Sequence, residues 1–354
     1  MSLPYTRPPR LIDQVAWCCR RRNYSPRTLE AYTYWTRRYV TFHGKLHPSR
    51  LGEAEVRAFL DSLVAANVAA STHSQALNAL VFLYRDVLEL QFPWLDELAR
   101  PKRPQRLPVV LSQDEVARVL AAMQGVPALQ ARLIYGSGLR LRECVELRVK
   151  DLAWAQSALI VRGGKGAKDR LTLLPKQLKP ALDDQVRRVA ADLRFRERVG
   201  TGYAPMPMRM ARKYPRAARG LPWQFLFPAA TNTWNGELRR WERWHASPST
   251  LQREFRAAVQ RSGIAQPATV HTLRHAFATH LLRAATDVRT LQQLLGHAKL
   301  DTTMIYTHVA DAHRGVASPL DVLAGLPGIR PDEPGADQEP DAERDSDSPW
   351  PEFD

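Results

Sequence analysis

Cysteine is scarce in this chain: there are three in 354 residues, Cys18, Cys19 and Cys144. Their spacing fits no metal site and suggests no disulfide pair, which argues against a bridge-stapled scaffold and a cysteine-based metal centre. Adjacent Cys18 and Cys19 read instead as helix residues, one or both half-buried. Long uncharged apolar runs and lipidation motifs are also missing, so nothing points to a helical membrane span or a lipid anchor. The N-terminus lacks the apolar core of a signal peptide, and a reducing, cytoplasmic setting is expected. Acidic side chains are few outside the C-terminal end, and that shortage carries the most information.

The whole chain has 51 Lys and Arg against 36 Asp and Glu, a formal net charge of +15. Residues 331–354 hold ten of the acidic side chains and one Arg, so residues 1–330 carry 50 basic and 26 acidic groups, net +24. A body this basic implies a polyanion partner, nucleic acid ahead of a membrane surface. At this length, with 44% apolar residues, the chain can bury two separate cores.

Residues 1–98 read as a helical domain of four or five helices without a convincing strand. Ser25-Pro26 opens one helix as N-cap and first residue, Leu29, Tyr32, Trp35, Tyr39 and Phe42 line it, and Gly44 ends it. Val56, Phe59, Leu60 and Leu63 repeat the period, as do Leu77, Leu80, Val81, Tyr84, Val87 and Leu88. Residues 99–110 contain three prolines and four basic residues in the ten positions from Ala99 to Pro108, an extended linker that either crosses DNA or is simply solvated. Residues 111–328 read as a second, mainly helical domain opened by the capping box Ser112-Gln-Asp-Glu115. Its clearest β element is a hairpin, Ala158–Val161 and Leu171–Leu174, around the glycine-rich turn that holds Lys165. Residues 329–354, acidic and rich in proline, are expected to be a disordered tail, either merely solvated or competing with DNA for the basic body.

Chemistry concentrates in the last third. His271-Thr-Leu-Arg274-His275, Leu295-Gly296-His297 and Tyr306 follow one another within thirty-six residues. A tyrosine phenol is a poor nucleophile at neutral pH and needs positive charge and hydrogen-bond donors around the phosphate it attacks. Upstream, Arg140 stands just after Gly138, and Lys165 and Lys168 share the hairpin turn. His271 and His275 have a spacing that hints at zinc, but the residues between them include no Glu of the zinc hydrolase motif, and they include Arg274, a cation that opposes a metal. His275 and His280 read as packing or surface residues, and Phe277, Leu281, Leu291, Leu294 and Leu295 as a core stripe that Gly296 caps.

Taken in order, Arg140, Lys165, His271, Arg274, His297 and Tyr306 resemble the catalytic set of the tyrosine recombinases, or phage-type integrases, over residues 111–307. The N-terminal phrases Tyr24-Ser25-Pro26-Arg27-Thr28 and Phe92-Pro93-Trp94-Leu95, with an extra segment at about 200–222, resemble the integron integrases. The resemblance implies a fold that is mainly α: a SAM-like core-binding domain, then a catalytic domain with a small β-sheet. It implies that Tyr306 is the nucleophile, Arg140 and Arg274 clamp the phosphate, and Lys165 protonates the leaving 5′ oxygen. His271 and His297 would then donate to the phosphate, while Glu143 orients a basic neighbour. No metal and no cofactor is called for. The implied partners are DNA, as a duplex site and a folded single-stranded hairpin, and further copies of the chain in a tetramer.

Candidate DNA contacts are Arg27, the linker residues Lys102, Arg103 and Arg106, Lys168, and the basic residues Arg212, Lys213, Arg239 and Arg240. Tyr214, Trp223, Trp241, Trp244 and His245 are candidate stacking faces for extrahelical bases. Core packing is the alternative for Trp241 and Trp244. Members of the subgroup often have paired histidines where this chain has Trp244-His245. Ser318-Pro319 caps a short apolar helix that the resemblance would dock into a neighbouring protomer, with packing on its own domain as the alternative.

Overall fold

The computed structural model describes residues 10–90, 92, 94, 109–162, 169–296, 318–323, 326 and 328. The fold is mainly helical with small antiparallel sheets, and the chain divides into two compact units, Met1–Leu107 and Pro108–Asp354. Among the described residues no helix is long and apolar enough to cross a membrane.

The first unit packs α1 (Leu11–Arg21), α2 (Pro26–Phe42), α3 (Glu53–Ala65) and α4 (Ala70–Phe82) around one core. Ser25 caps α2, its hydroxyl accepting from the Thr28 N–H at 3.1 Å. Most of the expected apolar stripes face inward, with Trp35, Tyr39, Phe59, Leu63 and Leu80 almost fully buried, whereas Phe42 at the end of α2 is 48% exposed. Cys18 and Cys19 are both buried, and burial pushes the Cys19 thiol up to about 11, so neither is a ready redox centre. The run through Leu88 is not one α-helix. From Leu83 to Val87 it widens into a π turn that lets the Tyr84 hydroxyl reach Tyr39 at 2.8 Å and the Leu51 carbonyl at 3.2 Å.

In the second unit, α5 (Gln113–Ala121) opens with the expected box: Ser112 accepts from the Glu115 N–H at 3.2 Å and Glu115 accepts from the Ser112 N–H at 2.8 Å. Helix α6 (Gly125–Ser137) is buried on nearly every side. It is followed by the short α7 (Leu141–Val145) and a three-stranded antiparallel sheet, β1 (Leu152–Ala153), β2 (Ala158–Val161) and β3 (Arg170–Leu173). Val161 pairs with Arg170 at the mouth of the hairpin. The long α8 (Lys179–Arg198) leads into an irregular module: α9 (Met208–Lys213), single turns at 215–219 and 221–223, and the hairpin β4 (Thr233–Asn235) with β5 (Arg240–Glu242). This module has its own small core of Met206, Ala211 and Ala218, and it extends well past the expected 200–222 because the β4–β5 hairpin belongs to it.

Helices α10 (Pro248–Arg261), α11 (Val270–Arg283) and α12 (Val288–Leu295) close the main core against α6. His280 is one of its polar pins, bonded to the Tyr135 hydroxyl at 2.9 Å and the Leu111 carbonyl at 3.0 Å, a packing role as expected. The short α13 (Pro319–Val322) packs on its own unit. Ser318 donates to the Gly136 carbonyl at 2.7 Å, and Asp321 accepts from the Lys176 and Gln177 N–H groups at 3.1 and 2.9 Å.

Gly138 ends α6 in the left-handed region at φ +64°, and a Cβ there would overlap the Phe277 ring. Gly200, past the end of α8, has φ +75° but open space around it. Gly200→Ala is therefore expected to cost only the backbone strain, about 1 kcal/mol, and Gly138→Ala about 2–4 kcal/mol through added overpacking. Urea unfolding followed by circular dichroism measures both, and equal losses would contradict the packing account.

Candidate active site

The reversal at Gly138 sets Arg140 at the head of α7 and Glu143 within its first turn. The Glu143 carboxylate accepts from the Arg140 backbone N–H and from Arg140 Nη1, each at 2.7 Å. It also accepts from Arg170 Nη1 at 2.9 Å and Nη2 at 2.7 Å, and Arg274 Nη1 stands 3.8 Å away. Burial by itself would raise the pKa of Glu143, but Arg170, the Arg140 amide and Arg274 pull it down to about 2. One fixed negative charge thus stands among three guanidinium groups. The side chains of Glu143, Arg170 and Arg274 are 10%, 10% and 4% exposed, against 29% for Arg140, which has the most open face.

Helix α11 places His271 and Arg274 one turn apart on one face. Arg274 donates to the Gly138 carbonyl, and through Nη2 to the Leu295 carbonyl at 2.7 Å, which fixes its plane between the ends of α6 and α12. His271 keeps access to solvent, yet partial desolvation, then His275, Arg274 and Arg140, push its pKa down to about 4. At neutral pH it is an uncharged imidazole able to donate one N–H. The His275 ring meets it edge-on, centroids 4.6 Å apart. Arg140, His271 and Arg274 are therefore brought together. Lys165, Lys168, His297 and Tyr306 lie outside the described residues, as do Lys102, Arg103 and Arg106.

Arg170 was missed by sequence reasoning, which takes it only as the end of the glycine-rich turn. Its signal was a basic residue beginning an otherwise apolar strand. Besides Glu143 it reaches the Leu294 carbonyl through Nε at 2.9 Å. Glu143 orients basic neighbours as expected, and it does so for more than one.

The candidate DNA contacts separate into two kinds. Arg27, Arg212, Lys213 and Arg239 are exposed, with Arg212 bonded to Glu237 at 2.7 Å. Tyr214, Trp241 and Trp244 are 49%, 45% and 46% exposed, so core packing is not what holds the two tryptophans. Trp234, not singled out from the sequence, pairs across the hairpin with Trp241 at 5.4 Å and is equally open. Two candidates need correction. Trp223 is half-buried, with the Lys150 ammonium 2.8 Å from its ring centroid and Arg148 bonded to its carbonyl, so both its position and its face serve packing. Arg240 is 12% exposed, its guanidinium bonded to Glu242 at 2.6 Å and lying over Tyr203, which leaves it little open surface. His245 bonds the Ala246 carbonyl at 2.8 Å and, with Trp244, borders a cleft of about 340 Å³ shared with Glu143, Arg148, Arg162 and Phe225.

Residues 109–313 match the phage integrase family, and residues 11–94 match the phage integrase N-terminal SAM-like domain. An integrase/recombinase of Escherichia coli is 46% identical over 330 residues, covering 93% of this chain and 98% of the relative. The tyrosine recombinase XerA of Thermococcus kodakarensis is 33% identical over 299 residues, covering 82% and 87%. A crystal structure of a lambda integrase dimer bound to a core site shares the fold, with TM-score 0.57 at 17% identity over 86% of this chain and 95% of its own. The chain belongs to the phage integrase family, the tyrosine recombinases, enzymes that cleave and religate DNA.

Because the folded pKa of Glu143 lies below its ordinary value of 4.5, the stability it contributes is complete above that value and is lost as pH falls through about 2. Glu143→Gln is expected to cost about 3 kcal/mol at neutral pH by leaving Arg170 without its counter-charge. The gap between wild type and variant should stay flat from pH 8 to 5 and close between about 4.5 and 2. Denaturant titrations across that range measure it, and a gap that closes near neutrality would contradict the ion-pair account.

Proposed function

We propose that this chain is a site-specific recombinase of integron type, which integrates and excises gene cassettes and takes a folded single-stranded hairpin as one of its sites. Support for the subtype comes from one observation above the rest. The module between α8 and α10 holds solvent-facing aromatic side chains, and Trp244 and His245 border the same cleft as Glu143 of the arginine cluster. A base displaced from a hairpin stem needs a stacking face and polar partners, and that cleft offers both within reach of the reacting phosphate.

In the proposed mechanism the Tyr306 phenol passes its proton to a neighbouring histidine or to water, its oxygen attacks the scissile phosphorus and the bond to the 5′ oxygen breaks, leaving a 3′-phosphotyrosyl link; the same proton returns when the phenol is released. Arg140 and Arg274 hold the non-bridging oxygens as charge develops, a role suited to a planar guanidinium fork. The Arg274 fork is already fixed by two carbonyls before DNA arrives, so little reorganisation accompanies the step. Lys165 delivers a proton to the leaving oxygen, and neutral His271 donates to the phosphate. The 5′ hydroxyl of a partner strand then attacks the same phosphorus and returns the phenol. The bond energy is kept throughout, so neither ATP nor a metal is needed. Four copies would meet at the synapse, and light scattering with and without hairpin DNA reads that assembly.

The experiment is covalent trapping on nicked DNA in EDTA, read on a denaturing gel. Wild type is expected to form an adduct preferentially on a nicked folded hairpin, and Tyr306→Phe none. An adduct on nicked duplex alone would move the chain to the chromosome-resolving or phage-type recombinases, and no adduct on several sites would favour a catalytically silent DNA-binding protein. Arg274→Ala should slow trapping about 10²- to 10³-fold, the loss of one preorganised donor. Trp244→Ala should weaken hairpin binding while sparing duplex, and equal weakening on both would end its assignment to base capture.

A further inference from the structure

We infer that Arg170 is a positioning residue for the arginine pair Arg140 and Arg274, acting through Glu143. This rests on the proposed clamp role of those two arginines.

The argument is one of charge and geometry. Glu143 is 10% exposed and has a single negative charge to share among three guanidinium groups. Arg170 takes both of its oxygens, at 2.9 and 2.7 Å, in a fork that lysine cannot reproduce. That pairing fixes the carboxylate plane, and with it the 2.7 Å contact that orients Arg140. It also offsets the carboxylate charge, so that Arg274, in a looser ion pair with Glu143 at 3.8 Å, stays on its two carbonyls and is not drawn into a direct hydrogen-bonded pair.

The head of Arg170 is itself locked. Its Nε donates to the Leu294 carbonyl at 2.9 Å, and Gly296, at φ +62°, leaves room where a Cβ would meet the Arg170 Cδ at 2.6 Å. Its backbone pairs with Val161 in the sheet. One side chain thus ties the sheet, the end of α12 and the head of α7 to a single carboxylate. Without it, Glu143 is free to bind Arg274 directly and so weaken the field that the phosphate meets.

Single-turnover strand cleavage on nicked DNA tests this, with either a phosphodiester or a charge-neutral methylphosphonate at the scissile position. Arg170→Ala is expected to slow cleavage of the phosphodiester by about 10²-fold, the scale of a misplaced catalytic group, with DNA affinity within about threefold of wild type. Adding Glu143→Gln should slow it no further, because the two act as one unit. On the methylphosphonate, which asks less of a cationic clamp, the deficit should shrink to below about tenfold. Multiplying losses in the double variant, or the same deficit on both substrates, would reduce Arg170 to a structural residue. Should Arg170→Ala fail to fold by thermal melting, Arg170→Lys keeps the charge without the fork and should show the same substrate dependence, with a loss of about tenfold. A wild-type protein that forms no Tyr306 adduct would instead overturn the recombinase reading. Normal wild-type trapping together with unimpaired Arg170 variants would overturn this inference alone.

Discussion

One carboxylate sits where three guanidinium groups converge, and the second unit is organised around keeping it there. Like charges about 4 Å apart repel by about 4 kcal/mol at the effective dielectric of a protein surface. Arg140, Arg170 and Arg274 would not share so small a volume without Glu143. The partners come from the head of α7, the hairpin strand β3 and helix α11, which are far apart in sequence. Their meeting at Glu143 gives the local electrostatics a say in how those elements dock.

Arg274 shows how a buried cation is kept charged before any DNA arrives. The C-terminal ends of α6 and α12 both turn a backbone carbonyl toward it, and each helix end is closed by a glycine in the left-handed region, Gly138 and Gly296. The negative ends of two helix dipoles meet the guanidinium there, a placement that favours a cation. In the clamp role proposed for Arg274, a phosphate would meet a charge already compensated on its protein side, and the two carbonyls need not be given up to receive it.

Much of this was legible in the sequence because it rests on short-range rules. The Ser25-Pro26 start, the box at Ser112 and Glu115 and the glycine cap at Gly296 act within a turn or two and form as their patterns imply. The apolar stripes do so except at Phe42 and in the π turn from Leu83 to Val87. The ordered motifs likewise led to Arg140, His271 and Arg274, which share one site. What escaped depends on contacts between distant segments. Nothing near Arg170 announces that its partners are Glu143 and the carbonyl of Leu294. The inward turn of Trp223 depends on Arg148 and Lys150, more than seventy residues earlier, and the burial of Arg240 on Glu242 and Tyr203. An aromatic or basic residue in an irregular stretch gives no period from which to read its facing. Trp241 and Trp223 therefore looked alike as letters and differ in space.

The module between α8 and α10 is fastened to the rest of its unit at several points along its length. Arg148 holds the carbonyls of Pro205 and Trp223, Leu226 pairs with Leu147, and Ala246 closes back on Phe227. The β4–β5 hairpin lies between the fastenings at Leu226 and Arg243 and carries none of the residues of the arginine cluster. A change confined to that hairpin would alter the solvent-facing Trp234 and Trp241 and leave the arginine cluster in place.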